Sequence, residues 1–129
     1  MALNIFITGG ASGIGYGIAE SLANDGHHLI IADINLDAAE SAAQQLKDAG
    51  FSAQAVEVNV CDAEQVAALP GKLGGVKVDV LINNAGIQHV SKIEDFPAEK
   101  WQQLINIMLV GPALLTQAFL PGMRADDFG

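Results

Sequence analysis

Thr8-Gly9-Gly10-Ala11-Ser12-Gly13-Ile14-Gly15 separates an apolar segment, Leu3 to Ile7, from a helical pattern that begins near Gly13. A strand, a glycine-rich turn and a helix N-terminus in that order make a receptor for a diphosphate. The exposed backbone N–H groups and the helix dipole both point at the anion. Glycine is needed where a Cβ would hold the chain away from the phosphates or the helix away from the strand. Asp33 follows at the end of a second apolar run, His28 to Ala32, at the distance expected for an acid that grips a ribose 2′-hydroxyl. A tight turn without a ligand would also use glycine. The strand before, the helix after and the acid behind select a dinucleotide site.

Working outward, the 129 residues amount to one domain able to bury a core. Half of them are apolar and 16% are charged, which fits a packed globular chain rather than a disordered one. The net charge of −9 argues against nucleic acid or an anionic membrane surface as partner. No Lys or Arg precedes Lys47, so a phosphate grip at the turn must come from backbone amides. The single cysteine, Cys61, excludes an internal disulfide and fits a reducing, cytoplasmic setting. The first apolar stretch is short and lacks basic flanks, unlike a secretory signal, and nothing is expected to approach the length of a membrane span. No metal-ligand cluster is visible, so no metal is expected.

Strand and helix patterns alternate, the mark of a parallel sheet with helices on both faces. Strands are expected over Leu3 to Thr8, His28 to Ala32, Ala53 to Val60 and Val78 to Asn83. The third alternates as an edge strand does, and the fourth is apolar enough to be buried on both faces. Helices are expected from Gly13 to Asn24, Leu36 to Asp48, Asp62 to about Leu69 (ending at Pro70-Gly71) and Glu99 to Gly122. Residues 99–122 are apolar on nearly every side, so this helix needs burial against the sheet and against a second surface. That surface is either a second copy of the chain or another part of the same one. Gly111-Pro112 should kink the helix or loosen a turn.

The glycine turn with Asp33, together with Asn83-Asn84-Ala85-Gly86 after the fourth strand, resembles the short-chain dehydrogenases/reductases. Within them, Gly86-Ile87-Gln88-His89-Val90 and the run Ile93 to Trp101 are similar to D-3-hydroxybutyrate dehydrogenases. The resemblance implies a Rossmann-type, three-layer doubly wound parallel sheet of order 3-2-1-4, spanning residues 1–129 and truncated before a fifth strand. It implies that Gly9, Ser12, Gly13 and Gly15, with Ile14, hold the pyrophosphate of NAD. Asp33 would take both adenosine ribose hydroxyls and repel a 2′-phosphate. Asn59 stands where the family commonly has Asp against the adenine amino group, and its carbonyl oxygen can still accept. Val60 would pack on the adenine. Asn84, Ala85 and Gly86 would line the cofactor beyond the fourth strand, and Asn83-Asn84 can equally stitch strand ends together. Gln88 resembles the glutamine that contacts the substrate carboxylate, although as a loop residue it needs no such role. His89, with no visible partner, reads as a loop histidine.

The family's catalytic Ser, and its Tyr with Lys four residues on, are not expected in this chain. Tyr16 has Glu20 at that spacing, Phe96 precedes Lys100, and Met108 stands where the family has a proton-relaying Asn. Asn106, two positions away, would face elsewhere. The expectation is therefore a dinucleotide-binding part of a dehydrogenase, whose parent reaction moves a hydride between NAD and a secondary alcohol such as 3-hydroxybutyrate. The alternative is a non-catalytic nucleotide-binding or oligomerising module derived from that family. An open fourth-strand edge and helix 99–122 further suggest a homo-oligomer.

Overall fold

The computed structural model describes residues 1–129. β1 (Asn4–Thr8), β2 (His28–Asp33), β3 (Ser52–Glu57) and β4 (Val80–Ile82) form one all-parallel sheet in the order β3-β2-β1-β4. Successive side chains on a strand point to opposite faces, and here both faces are covered. Ile5 and Ile7 enter one core with Leu29 and Ile31, beneath α1 (Gly13–Asn24) and α2 (Leu36–Asp48). Phe6 and Ile30 enter the other, beneath α3 (Ala63–Ala67), α4 (Leu69–Lys72) and the C-terminal helix. Phe6 meets Phe119 there at a ring-centroid distance of 4.8 Å. The continuous apolar runs of β1 and β2 are thus explained by burial on two sides.

Three expectations change. Pro70-Gly71 does not end a helix but lies inside α4, where proline in the first turn has no intrahelical N–H bond to lose. The fourth strand is only Val80–Ile82 and is half-buried, because β1 is its one partner and its other edge is unpaired. The last helix runs without interruption from Ala98 to Ala125 as α5 (Ala98–Ile105), a π turn (Asn106–Val110) and α6 (Gly111–Ala125). Proline 112 has no N–H to offer the carbonyl one turn back, and the turn widens so that the Gly111 N–H reaches the Asn106 oxygen. The loosening expected at Gly111-Pro112 therefore takes the form of a wide turn just before it. At 28 residues, with an 18-residue window of mean hydropathy 1.6, this helix is long and apolar enough to cross a bilayer, contrary to expectation. Its Gly111, Leu115 and Phe119 are buried, the latter two in the core of the sheet.

The helix N-termini differ in a way that bears on the site. Asn35 caps α2 by accepting the Ala38 N–H at 3.1 Å, and Asp62 caps α3 through the Glu64 and Gln65 N–H groups. Ser12, in the same position on α1, makes no side-chain cap bond. The first N–H groups of a helix have no partner within it, so those of α1 stay available. Asn35→Ala should cost about 1 kcal/mol of unfolding free energy, whereas Ser12→Ala should change it by less than about 0.5 kcal/mol. Urea unfolding of the two variants checks this, and equal losses would show that Ser12 caps α1 after all.

Candidate functional site

The chain leaves β1 through Gly9 at φ +63° and enters α1 through Gly13 at φ +56°, the left-handed region that favours glycine. Nothing lies near the Cβ position of Gly13, so its glycine answers to backbone conformation. Gly15 has the opposite reason. A Cβ there would overlap the Gly9 carbonyl oxygen and the Asn84 side-chain amide, so only glycine lets α1 sit against the strand ends.

Thr8 and Asn84 tie the ends of β1 and β4 together. The buried Thr8 hydroxyl accepts the Asn84 N–H at 3.1 Å and the Ala85 N–H at 3.0 Å. Asn84 Nδ2 donates back to the Thr8 and Gly9 carbonyls at 3.0 and 3.2 Å. The side-chain amide of Asn84 is therefore a strap between strands, and a lost partner here would strand a donor at about 1–3 kcal/mol.

Beyond these ends lies a cleft of about 450 Å³, a size ordinary for small-molecule sites. Gly9, Ser12, Ile14, Gly15, Asp33, Asn59, Val60, Asn84, Ala85 and Gly86 line it together, with Gly13 at the turn between them. No Lys or Arg does. Asp33 is half-exposed at the end of β2, and its Oδ1 accepts the Asn35 N–H at 3.1 Å, which leaves the other oxygen free. Asn59 and Val60 follow β3, which β2 holds through the Asp33–Glu57 pair and the Val58 N–H to the Asp33 carbonyl. Asn59 Oδ1 accepts the Cys61 N–H at 3.0 Å, so one of the two acceptor positions on that oxygen is taken within the loop itself.

The sheet order gives this cleft its sequence of subsites. Its floor passes from Asn59 after β3 to Asp33 on β2, the glycine turn after β1 and Gly86 after β4, across three strand spacings or about 14 Å. That is the order of base, ribose, diphosphate and second ribose in an extended dinucleotide. The uncapped α1 terminus, held against the strand ends by the absence of a side chain at position 15, suits its diphosphate. Thr8, Ala32, Ile34, Val58, Ile87 and Ile107 also line the cleft without having been singled out as site residues. Thr8 and Ile34 adjoin singled-out residues and could have been found. Ile107 arrives from the π turn; Gly111-Pro112 signals a loosened turn but not which side chain that turn brings to the cleft.

Other candidates fall outside. Gln88 is exposed on the loop after β4 and does not line the cleft. His89 packs edge-on against Phe96 at 5.0 Å, and Phe96 packs on Trp101 at 4.3 Å, consistent with a loop histidine. Met108 reaches to 3.7 Å from the Cβ position of Gly86 and so flanks that end of the cleft. The Asn106 side-chain oxygen accepts from Gln102 Nε2 at 3.1 Å, on the helix surface. Tyr16 lies on α1 against the α1–α2 core, where burial, then the nearby Glu20 carboxylate, raise its hydroxyl above the usual 10.0. That shift is opposite to the one a base needs.

Comparison with known proteins agrees with this geometry. Residues 3–129 match the family model for short chain dehydrogenases. The D-beta-hydroxybutyrate dehydrogenase of Cupriavidus necator is 38% identical over 130 residues, covering 95% of this chain and 48% of that protein. A gluconate 5-dehydrogenase from Burkholderia cenocepacia, in complex with NADP and tartrate, superposes with a TM-score of 0.88 at 32% identity, over 96% of this chain and 49% of that one. A 3-oxoacyl-[acyl-carrier protein] reductase from Brucella melitensis with bound NAD gives 0.90 at 29%, over 98% and 50%. The chain spans about half the length of the relatives it matches. With its parallel sheet in the order 3-2-1-4, its uncapped glycine turn and these matches, the chain belongs to the short-chain dehydrogenase family.

Proposed function

We propose that this chain is the NAD-binding part of a dehydrogenase that moves a hydride between NAD and a secondary alcohol of the small hydroxy-acid type, such as 3-hydroxybutyrate. The observation that carries the choice of NAD is Asp33, whose free carboxylate oxygen stands in a cleft without a cation. A diol accepts that oxygen as a partner by donating to it, and a 2′-phosphate would place a dianion against it. When bound, the nicotinamide gives or takes the hydride. The chain's own part is to hold the diphosphate on the α1 amides, fix the ribose on Asp33 and leave the far ribose room at Gly86. The substrate class is supported by the relative named D-beta-hydroxybutyrate dehydrogenase and by the Burkholderia gluconate 5-dehydrogenase, whose complex contains tartrate with NADP. Gln88 can offer its amide to a carboxylate without a positive charge. The family match is with oxidoreductases, which does not favour a non-catalytic module. The reading places the protein in the cytoplasm, in keeping with its one free thiol.

Titrating the chain with NADH and NADPH, followed by nicotinamide fluorescence, tests the cofactor choice. NADH should bind at least about tenfold more tightly than NADPH, and Asp33→Ala should erase most of that difference by weakening NADH. Equal losses for both nucleotides would contradict the ribose role. The same proposal includes a homo-oligomer joined through residues 99–122, the open β4 edge or both. Trp101, Ile105, Met108, Leu109 and Val110 are exposed on that helix, and β4 has no outer partner. Sedimentation at micromolar concentration should give a mass above that of one chain, and a monodisperse single-chain mass would overturn this part.

A further inference from the structure

We infer that Asn59 makes the base end of the cleft a donor-presenting subsite, which accepts 6-oxopurine dinucleotides about as well as adenine ones. This rests on the dinucleotide reading above. The observation is the hydrogen bond from the Cys61 N–H to Asn59 Oδ1 at 3.0 Å. Of the two ends of a side-chain amide only the oxygen can accept a backbone N–H, so this bond decides which way the amide faces. Asn59's own N–H donates to Gln65 Oε1 at 2.9 Å, and Gln65 Nε2 donates to Asp62 Oδ2 at 3.1 Å. The short loop is thus braced from both ends. Asn59 Nδ2 takes no partner within the protein, and Asn59 lines the cleft beside Val58 and Val60.

The consequence follows from the edges of the bases. A carboxylate at this position would be all acceptor, so it would reward the amino group of adenine and oppose the 6-oxo group of hypoxanthine. An NH₂ group facing the cleft has the reverse chemistry. It donates to a ring nitrogen of adenine or to the 6-oxo group of hypoxanthine, and each base offers it one acceptor. The flat apolar contacts from Val58 and Val60 treat the two rings alike. Discrimination between them is therefore lost at this residue. Asn59 is in this sense a specificity-determining position, and its amide relaxes the choice of base.

The experiment compares NADH with reduced nicotinamide hypoxanthine dinucleotide by fluorescence titration of the wild-type chain and of Asn59→Asp. Aspartate can keep one oxygen on the Cys61 N–H and turn its second oxygen to the base. Dissociation constants for the two nucleotides should lie within about threefold in the wild type, and Asn59→Asp should favour NADH by about tenfold or more. A wild-type preference for either nucleotide of more than about threefold overturns the inference without recourse to any variant. So does an Asn59→Asp protein, folded by circular dichroism, whose ratio matches that of the wild type. If neither nucleotide binds the wild type, the dinucleotide reading fails and the inference with it. Binding of both with unequal affinity rejects the base assignment alone.

Discussion

The close approach of α1 to the ends of β1 and β4 is the constraint on which the site depends. It exists because position 15 has no side chain, and the Gly9 carbonyl and the Asn84 amide occupy the space where one would be. The same contact carries the Asn84 strap to Thr8 and Gly9, so strand pairing and helix placement are coupled at one point. With α1 held there, its first N–H groups open into the cleft, and Ser12 does not close them off. A structure optimised for stability alone would cap that helix, as α2 and α3 are capped by Asn35 and Asp62. α4 and α5 also begin without a side-chain cap, so it is the cleft beside the α1 terminus that sets it apart.

Charge explains how an acidic protein can still hold an anion. With a net charge of −9 and no Lys or Arg lining the cleft, attraction at long range does not assist it. The attraction comes from oriented peptide dipoles, which act within the first turn of the helix and fade beyond it. A carboxylate at Asp33 is compatible with this, because the partners proposed for it are neutral hydroxyls, one strand away from the glycine turn. On the proposed reading, selectivity between ligands comes from what each position refuses, a second phosphate at Asp33 above all.

Much of this was legible in the sequence, and the reasons can be named. α1 and α2 begin and end where their periodicity and flanking residues indicate, with Gly26 and Gly50 adopting positive φ just beyond their ends. β1 and β2 read clearly because burial on both faces leaves no polar alternation to confuse them. The errors share a cause, which is that the deciding contact is set by the folded geometry rather than by the residue's own character. β4 is short and half-buried because only β1 pairs with it, whatever its own apolar character. The π turn depends on a proline five residues after Ile107, and this brings Ile107 into the cleft. Gly111 allows that helix to meet Val60, whose side chain lies 3.0 Å from where a Cβ would stand. The oxygen of Asn59 could not be assigned from sequence, because its partner is a backbone N–H set by the fold of the loop.

The most direct measurement of the central claim is a backbone amide spectrum of the ¹⁵N-labelled chain during titration with NADH. Amide N–H groups of Gly13, Ile14 and Gly15 should show the largest shifts, since they would exchange water for phosphate oxygens as the ligand binds. Shifts confined to other parts of the chain, with these three unmoved at saturation, would contradict the account.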